Sequence, residues 1–473
     1  MTGAATAGRT GTDTTVLLGA GASHDAGVPL AKGLTGLAMT AAVAGVAGAG
    51  TNWRAHRRLS MALAFVVNAI QRHAIARGAA KANDLEDLPG IEQVVSAVAM
   101  LAERADLEVS PFVAAWDPAI SSVDRDGRSI EEDAVEDLSR ALAGHLDHAF
   151  GGGNSRGDDL AKGLAKAVDS YMASPPVGSG AFTELQGWLT RQVLKDVDQF
   201  DRGDTTVDYL RPLVRWAAEN RAVVSTLNYD ECLEAAADRE SVPVDLAVGK
   251  WPTTGVLGDR LDGKSLRLLK LHGSVNWCFV EGQGFRTGRP ENKEWPYVDF
   301  EPGIVYGQRG KLRPKGPFLQ LLEAFRTELE QSTKLLVIGY AFGDDHINTL
   351  VESWLQRDGS RRMLVVDPGV PDYLDNPFDS YSYSYDLECG LRPDARRTMW
   401  HTFGPRPRDA PRQSTRPDDL VQVPRPPIPS QFYIARCFTR DFLHSLESTP
   451  AAMDDLFAQH RNDRDPVLTW VYE

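Results

Sequence analysis

The segment that decides the fold is TVLLGAGASHDAGVPL, from Thr15 to Leu30. A short apolar run leads into two closely spaced glycines, Gly19 and Gly21, and a helical pattern follows them. Gly19 allows a sharp turn at the end of the strand, and Gly21 has no side chain that would keep a phosphate from the backbone. A helix that begins here would point free N–H groups and its positive dipole end at that anion. The segment predicts a strand, a glycine-rich turn and a helix, and the turn either binds a phosphate-bearing ligand or is only a tight connection.

Three further apolar runs are similar to the first in length and composition. They read RAVVSTLNYD, KLLVIGYAF and RRMLVVDPG and begin at Arg221, Lys334 and Arg361. Near-continuous apolar runs with helical patterns between them are typical of parallel strands that are buried on both faces. The carboxyl ends of such strands face a crevice in which ligands bind. We therefore expect an α/β fold with a parallel sheet and functional residues at these strand ends.

A long stretch without a comparable strand pattern separates the first two runs. Segments such as SMALAFVVNAIQRHAIARG and IEQVVSAVAMLAERA have apolar residues at helical spacing, which indicates a large helical insertion. After the last run, eight prolines between Gly404 and Pro429 predict an extended strap. The expected organisation is a flexible leader at 1–13, a sheet domain at 14–37 and 221–375, the insertion at 38–220, and a C-terminal appendage at 376–473.

The charge balance and the cysteines exclude several classes of protein. The formal net charge of -14 repels nucleic acid and acidic membrane surfaces. The apolar run GLAMTAAVAGVAGAG is too short and too rich in glycine and alanine to span a bilayer. The four cysteines lie far apart, which argues against a zinc ribbon and a disulfide framework. We expect a cytoplasmic protein with no nucleic-acid or membrane partner.

Polar or small residues also follow the other apolar runs. STLNYD has Thr226, Asn228 and Asp230 at alternate positions, which would place them on one side if the strand continued. The run LLKLHGSVNW has His272 immediately before a Gly-Ser turn, and the last two runs end at Gly339 and Asp367.

Four motifs in a fixed order resemble the prokaryotic branch of the sirtuin-like family: GAGAS, T-x-N-Y-D, K-L-H-G-S and I-G-Y-x-F. The resemblance covers Thr14–Leu37 and Val223–Pro368. It implies a Rossmann-like sheet that binds NAD as substrate and breaks the bond between nicotinamide and ribose. It also implies that Gly339 approaches the adenosine half and that Asp367 accepts hydrogen bonds from the adenine ribose. The residues implied to hold the rest of the dinucleotide are Gly19, Ala20, Gly21, Ser23 and Thr226.

The same resemblance implies three catalytic residues, Asn228, His272 and Asp230. Asn228 would bond a ribose hydroxyl and orient a water. His272 would accept a proton, since histidine ordinarily titrates near neutral pH. Asp230 would either steady the loop or favour the positive charge that develops on the ribose as nicotinamide leaves. On the residues alone, Asn228 can equally be a turn former and Asp230 a helix N-cap.

The expected reaction follows from a feature of protein-deacylating sirtuins that this sequence lacks. Protein-deacylating sirtuins carry a four-cysteine zinc module, whereas the stretch after His272 contains only Cys278. This favours NAD hydrolysis to nicotinamide and ADP-ribose, which in this branch serves regulated defence against phage. The alternatives are a protein deacylase or ADP-ribosyl transferase, and a sensor that holds NAD or ADP-ribose without cleaving it. The resemblance also implies a homo-oligomer and an activating or inhibiting protein partner.

The acidic cluster GDDHIN, which contains Asp344, Asp345 and His346, could suggest a metal site. Adjacent residues seldom converge on one ion, and acidic residues are equally typical of a helix start. We therefore predict a helix start here and no metal.

Overall fold

The computed structural model describes residues 13–48, 53–76, 88–104, 120–121, 123–124, 180–198, 205–261, 263–280, 282–288, 300–305, 316–368, 431–435, 437–447 and 467–468. The chain forms two compact units. One comprises residues 1–30 and 197–473, and the other comprises 31–196. We call them the sheet unit and the helical unit.

Most strands and helices of the described residues belong to the sheet unit. The strands are β1 (Thr14–Leu18), β2 (Val223–Thr226), β3 (Val244–Asp245), β4 (Leu266–Lys270), β5 (Gly273–Val280), β6 (Gly284–Thr287), β7 (Phe300–Ile304), β8 (Lys334–Ile338), β9 (Arg362–Val366), β10 (Phe432–Ala435) and β11 (Val467–Leu468). The α-helices of the whole described chain are α1 (Ala31–Gly48), α2 (Trp53–Ala76), α3 (Ile91–Ala102), α4 (Ala181–Val197), α5 (Arg211–Asn220), α6 (Cys232–Arg239), α7 (Trp251–Thr254), α8 (Phe318–Gln331), α9 (Asp345–Arg357) and α10 (Thr439–Glu447). Two 3-10 helices, η1 (Ala20–Ala26) and η2 (Thr205–Leu210), complete the set.

The main sheet has eight parallel strands in the order β11-β10-β9-β8-β1-β2-β4-β3. β1 lies between β2 and β8, with Thr15 opposite Val223 on one side and Leu335 on the other. The strands that follow β1 extend the sheet in one direction, and those that follow β8 extend it in the other. The order therefore reverses beside β1, which makes the carboxyl ends of β1 and β8 the topological switch point of a Rossmann-like sheet. The expected α/β fold is confirmed.

The runs that predicted these strands are buried as expected. All five residues of β1 are buried, because helices or neighbouring strands cover it on every side. Leu17, Val337 and Val365 share one hydrophobic core with Phe325 of α8 and Trp354 of α9. The Trp354 indole also donates a hydrogen bond to the carbonyl oxygen of Ser332 (3.1 Å). Burial of large apolar side chains on the sheet therefore stabilises the strand ends that carry the polar residues.

A small antiparallel sheet in the order β6-β5-β7 follows β4 directly. Its register is irregular between Gly273 and Cys278. Gly273 has a φ of +88°, and an added Cβ would lie 2.0 Å from the Gly303 carbonyl oxygen. The chain can therefore leave β4 and begin β5 only with glycine at this position.

The helical unit contains α1, α2, α3 and most of α4 among its described residues, in sequence between β1 and β2. The expected helical insertion is therefore present, and the helices have buried apolar faces. The described part of the chain contains one helix, α2, that over Ala55–Ala76 is long and apolar enough to cross a membrane, with mean hydropathy 1.3. This property rests on length and composition alone, and 28% of the apolar window is buried in the structure.

The boundaries of the units differ from the expected ones at both ends of the insertion. The helical unit spans 31–196 and not 38–220, because η2 and α5 pack on α6 of the sheet unit. The C-terminal region differs too: β10 and β11 extend the main sheet beside β9, so this part of 376–473 belongs to the sheet unit. The leader at 1–12 and the proline-rich strap lie outside the described residues.

Candidate functional site at the carboxyl edge of the sheet

The connections that leave β1, β2, β4 and β8 bring most of the candidate residues to one edge of the sheet. Backbone hydrogen bonds hold these connections together. The N–H of Leu227 donates to Leu18 and that of Leu271 donates to Thr226, at 3.0 and 2.9 Å. The edge is therefore a continuous surface across four strands.

The glycine-rich turn after β1 packs backbone to backbone against the turn after β8. A Cβ added to Gly19 would lie 2.6 Å from the Gly339 carbonyl oxygen, and one added to Gly21 would lie 2.8 Å from the Gly339 Cα. Gly339 has a φ of +63°, and its own Cβ would lie 2.3 Å from the Ala22 nitrogen. These three glycines are thus required by the contact between the two turns. Gly339, which was expected beside an adenosine, lies against Gly21.

The N–H groups of this turn are largely used within the protein. Gly19 donates to Ile338, Gly21 to Gly339 and Ala22 to Gly19, each at 2.9 Å. The chain continues as the 3-10 helix η1, which is Ala20–Ala26, and not as an α-helix. The N–H groups of Gly19, Gly21 and Ala22 are therefore not free to bind a phosphate as the sequence suggested.

Asn228 connects the end of β2 to the glycine-rich turn. Its Nδ2 donates to the Gly19 carbonyl oxygen (2.9 Å) and to Ser23 Oγ (3.0 Å), and its backbone N–H donates to Thr226 Oγ1 (3.1 Å). Ser23 thus receives a hydrogen bond from Asn228, and the N-cap of η1 is Gly19. β2 ends at Thr226, so Asn228 and Asp230 lie in the loop after the strand and not on a continued strand.

Asp230 interacts with the start of α6. Its Oδ1 accepts a hydrogen bond from the N–H of Cys232 (3.0 Å), the first residue of α6, whereas the N-cap of this helix is Glu231. Burial raises the pKa of the Cys232 thiol, and the nearby Asp230 carboxylate raises it further. Lys270 is fully buried at the end of β4, and its Nζ donates to the Asp230 carbonyl oxygen and to Glu234 Oε1 (2.8 Å). The Lys270–Glu234 pair thereby fixes the loop that carries Asn228 and Asp230, a role that the sequence did not suggest.

These side chains border a cavity of about 10 Å³, which is room for roughly one water molecule. Four of the predicted site residues line it, and the complete lining is Leu18, Ala22, Ser23, Leu210, Thr226, Asn228, Asp230, Leu233 and Glu234. The cavity is smaller than the ligand pockets of roughly 300 to 1,000 Å³ that are usual in proteins. The other predicted residues, Gly19, Ala20, Gly21, His272, Gly339 and Asp367, are not in this lining.

His272 lies after β4 and is buried against the loop that follows β8. Its Nε2 is 3.0 Å from Asp344 Oδ2. Its Nδ1 is buried and has no hydrogen-bond partner among the residues that the structure describes. The His272 ring also lies near the Tyr229 ring, with centroids 6.3 Å apart. A buried polar atom without a partner costs about 1–3 kcal/mol, so this atom is a position at which a ligand hydroxyl would be stabilised.

The loop between β8 and α9 holds Asp344 in place. Asp344 is the N-cap of α9, and its Oδ1 accepts from the His346 N–H (3.0 Å). This is the helix start that the sequence predicted.

Among the described residues no group of three or more His, Cys, Asp or Glu side chains could hold a metal ion, and the absence of a metal stays a prediction. Phe342 has a φ of +58°, and Asn348 Nδ2 donates to its carbonyl oxygen (2.7 Å). A strained residue that the neighbouring side chains stabilise is typical of functional loops.

Asp367 lies at the end of β9, where its N–H donates to the Ala435 carbonyl oxygen of β10 (3.1 Å).

The helix α10 contacts η1 through hydrogen bonds. Thr439 Oγ1 donates to the Gly21 carbonyl oxygen (3.2 Å), and the Arg440 N–H donates to Asp25 Oδ2 (3.1 Å). Sequence reasoning missed this contact because 418 residues separate Thr439 from Gly21. The short run FYIA before it was the available strand signal.

Residues 222–388 match the sequence model of a SIR2-like domain. The matched range includes Asn228, Asp230, His272 and Asp344, whereas the glycine-rich turn lies before it. The match supports a sirtuin-like domain over residues 222–388 of the sheet unit. No curated protein matches the chain.

Solved structures that resemble the chain include several Sir2 proteins. A Sir2 homolog in complex with NAD is 11% identical, with a TM-score of 0.30, over 57% of this chain and 75% of that one. A mutant Sir2 homologue in complex with ADP ribose is 16% identical, with a TM-score of 0.27, over 46% of this chain and 74% of that one. A Sir2 complex with a p53 peptide and NAD+ is 13% identical, with a TM-score of 0.23, over 38% and 70% of the two chains. The sheet topology described above, rather than these partial overlaps, defines the fold.

Proposed function

We propose that this chain is an NAD glycohydrolase that cleaves the bond between nicotinamide and ribose to give nicotinamide and ADP-ribose. The observation that carries the proposal is the contact of Asn228 with Gly19 and Ser23. It brings the T-x-N-Y-D motif and the GAGAS motif, 205 residues apart at Asn228 and Ser23, to one cavity at the carboxyl edge of the sheet. The match to a SIR2-like domain and the NAD complex among the similar structures support NAD as the ligand.

The chemistry assigned to the site needs no covalent protein intermediate. The bond between C1′ of the ribose and the nicotinamide nitrogen breaks, and its electron pair neutralises the positive pyridinium ring. A water oxygen forms the new bond to C1′ and loses one proton, so that the products are nicotinamide, ADP-ribose and H⁺. The transition state has oxocarbenium character, as in glycoside cleavage.

Each proposed role follows from a contact of the side chain. Asn228 positions the ribose or the attacking water by accepting a hydrogen bond at Oδ1, because its Nδ2 already donates to Gly19 and Ser23. The buried carboxylate of Asp230 favours the positive charge on the ribose. His272 accepts a proton. Because His272 does not line the cavity, the bound ribose must extend from the cavity to the Nδ1 atom of His272.

The small cavity further requires that the edge opens or that the adenosine half of NAD lies outside it. We propose that the C-terminal helix regulates this opening, since Thr439 and Arg440 contact the backbone and side chains of η1. Control of this kind suits a cytoplasmic enzyme that depletes NAD in response to phage infection. We further propose that such an effector acts as a homo-oligomer with a protein partner that activates or inhibits it.

The test is release of nicotinamide and ADP-ribose from NAD by the purified full-length chain, with and without an acyl-lysine peptide. We expect release that does not need the peptide and that Asn228→Ala and His272→Ala abolish. Asn220→Ala is a matched control, because Asn220 is exposed at the end of α5 and its side chain donates to the Trp216 carbonyl oxygen in its own helix. Peptide-dependent turnover would favour a deacylase or transferase. NAD binding in calorimetry without any release would favour a sensor, and full activity of both variants would contradict the mechanism.

A further inference from the structure

The contact between His272 and Asp344 assigns one proton of the imidazole. A carboxylate oxygen only accepts hydrogen bonds, so the proton between Asp344 Oδ2 and His272 Nε2 belongs to the ring nitrogen. The neutral imidazole then carries its lone pair on Nδ1. That atom is the one that is buried without a partner among the described residues.

Asp344 itself has a fixed orientation. Its Oδ1 accepts from the His346 N–H at the start of α9, and its own N–H donates to the Tyr340 hydroxyl (3.0 Å). The Tyr340 hydroxyl is in turn 2.9 Å from Asn348 Oδ1, to which it donates. Asp344, Tyr340 and Asn348 are all buried. The carboxylate therefore has one oxygen committed to the helix and the other directed at His272.

We propose that Asp344 is a positioning residue that holds His272 in the tautomer whose Nδ1 accepts a proton from a ribose hydroxyl or from the attacking water. The inference rests on the proposed NAD hydrolysis and assigns the reacting atom of His272. The loop from Gly339 to Asp344, which contains the strained residue Phe342, then has a functional role as well as a packing role. It places the Asp344 carboxylate beside His272, which follows β4. Asp344 acts through His272 and does not contact the substrate.

The decisive variant is Asp344→Asn. Asparagine caps helices as well as aspartate does, so α9 retains its start. The cap fixes the orientation of the new amide, since its oxygen must accept from the His346 N–H. The amide NH₂ then faces Nε2 of His272 and donates to it, which moves the imidazole proton to Nδ1. A protonated Nδ1 cannot accept, and we expect kcat to fall by roughly 10²- to 10⁴-fold with little change in KM.

Asp345→Asn is the matched control. Asp345 is the adjacent carboxylate, is exposed, and has no hydrogen bond to His272. We expect near wild-type kcat for this variant and unchanged thermal unfolding for both. Undiminished kcat in Asp344→Asn would overturn the inference and leave NAD hydrolysis standing. The inference would also be overturned if Asp344→Asn had a lower melting temperature and its fraction of folded protein at the assay temperature fell as much as its activity.

A second measurement does not depend on turnover. Long-range ¹H–¹⁵N correlation spectra of the histidine-labelled full chain report the tautomer of each imidazole, and His272→Gln identifies the signal. We expect an unprotonated Nδ1 in the wild type and a protonated Nδ1 in Asp344→Asn. The same tautomer in both proteins would overturn the inference. A third outcome is that the tautomer of His272 differs between the wild type and Asp344→Asn although the wild type releases no nicotinamide. That outcome would overturn the proposed function and, with it, the role of His272 as the base.

Discussion

Substitution of Gly339 by alanine tests the contact between the two turns at the centre of the sheet. Gly339 combines a φ of +63° with close backbone neighbours, since an added Cβ would lie 2.3 Å from the Ala22 nitrogen and 2.4 Å from the Gly21 carbonyl carbon. Neither neighbour is the end of a flexible side chain. The turns must therefore separate if a side chain is present at this position.

The loss of unfolding free energy in Gly339→Ala has two parts, a backbone-conformation penalty and an overpacking penalty. Two control substitutions in the sheet unit separate them. Gly343 has no atom within 4 Å of a built Cβ and no positive φ, so Gly343→Ala should be neutral or slightly stabilising. Gly27 has open space but a φ of +88°, so Gly27→Ala isolates the conformational penalty, which is about 1–2 kcal/mol. Gly339→Ala adds overpacking of about 1–3 kcal/mol to that penalty. We expect its total loss of unfolding free energy to be about 2–5 kcal/mol.

The assay is urea unfolding of the full chain followed by tryptophan fluorescence, because Trp354 and Trp277 are buried in the core of the sheet unit. The expected order of midpoints is Gly343→Ala, then Gly27→Ala, then Gly339→Ala. If Gly339→Ala were as stable as Gly27→Ala, the two turns would not be packed as closely as described. The glycines would then have to be explained by a ligand.

Two other measurements test the electrostatics of the described structure. Hydrogen bonds from Arg215 and Arg211 lower the pKa of Glu240, so its contribution to stability is complete above the ordinary carboxyl pKa and is lost as the pH falls through the lowered value. Since both arginines are partly exposed, Glu240→Gln should destabilise the protein by under about 1 kcal/mol at pH 7, and equal stability of wild type and variant there would contradict the pairing. Burial raises the pKa of the Cys437 thiol to about 12 and also raises that of Cys232. Both should resist iodoacetamide at pH 8 until the chain is unfolded in urea, as peptide mass mapping would show, and rapid alkylation of the folded chain would refute their burial.

The central strands could be predicted from the sequence because their signal is local. β1, β2, β8 and β9 are runs of buried apolar residues that end in small or polar ones, and β4 precedes His272 in the same way. The strand β10, which lies between β9 and β11, was missed because its four residues follow a long proline-rich segment. The boundary of the insertion was misplaced because η2 and α5 have the same helical pattern as the helical unit. Their membership depends on packing against α6, which periodicity does not report.

The candidate site was only partly accessible to sequence reasoning. Motif spacing identified Asn228 and Asp230, which line one cavity with Ser23 and Thr226. The partner of His272 could not be found in this way, because 72 residues separate it from Asp344 and the GDDHIN segment is fully explained as a helix start. For Gly19, Gly21 and Gly339 the sequence pattern suggested more than the geometry supports. Their pattern suggested a ligand, whereas their geometry is already required by contacts between two turns.

The pairing of β1 has a consequence for how the protein is made. Thr15 emerges from the ribosome long before its two sheet partners, Val223 and Leu335, exist. Contacts of such large sequence separation form slowly, because a long loop must close before they are gained. A nascent chain that ends before Leu335 has an incomplete edge around Gly19, and the contact from Thr439 forms later still. Any enzymatic activity at this edge is therefore withheld during most of translation, so that prematurely terminated chains would be inactive.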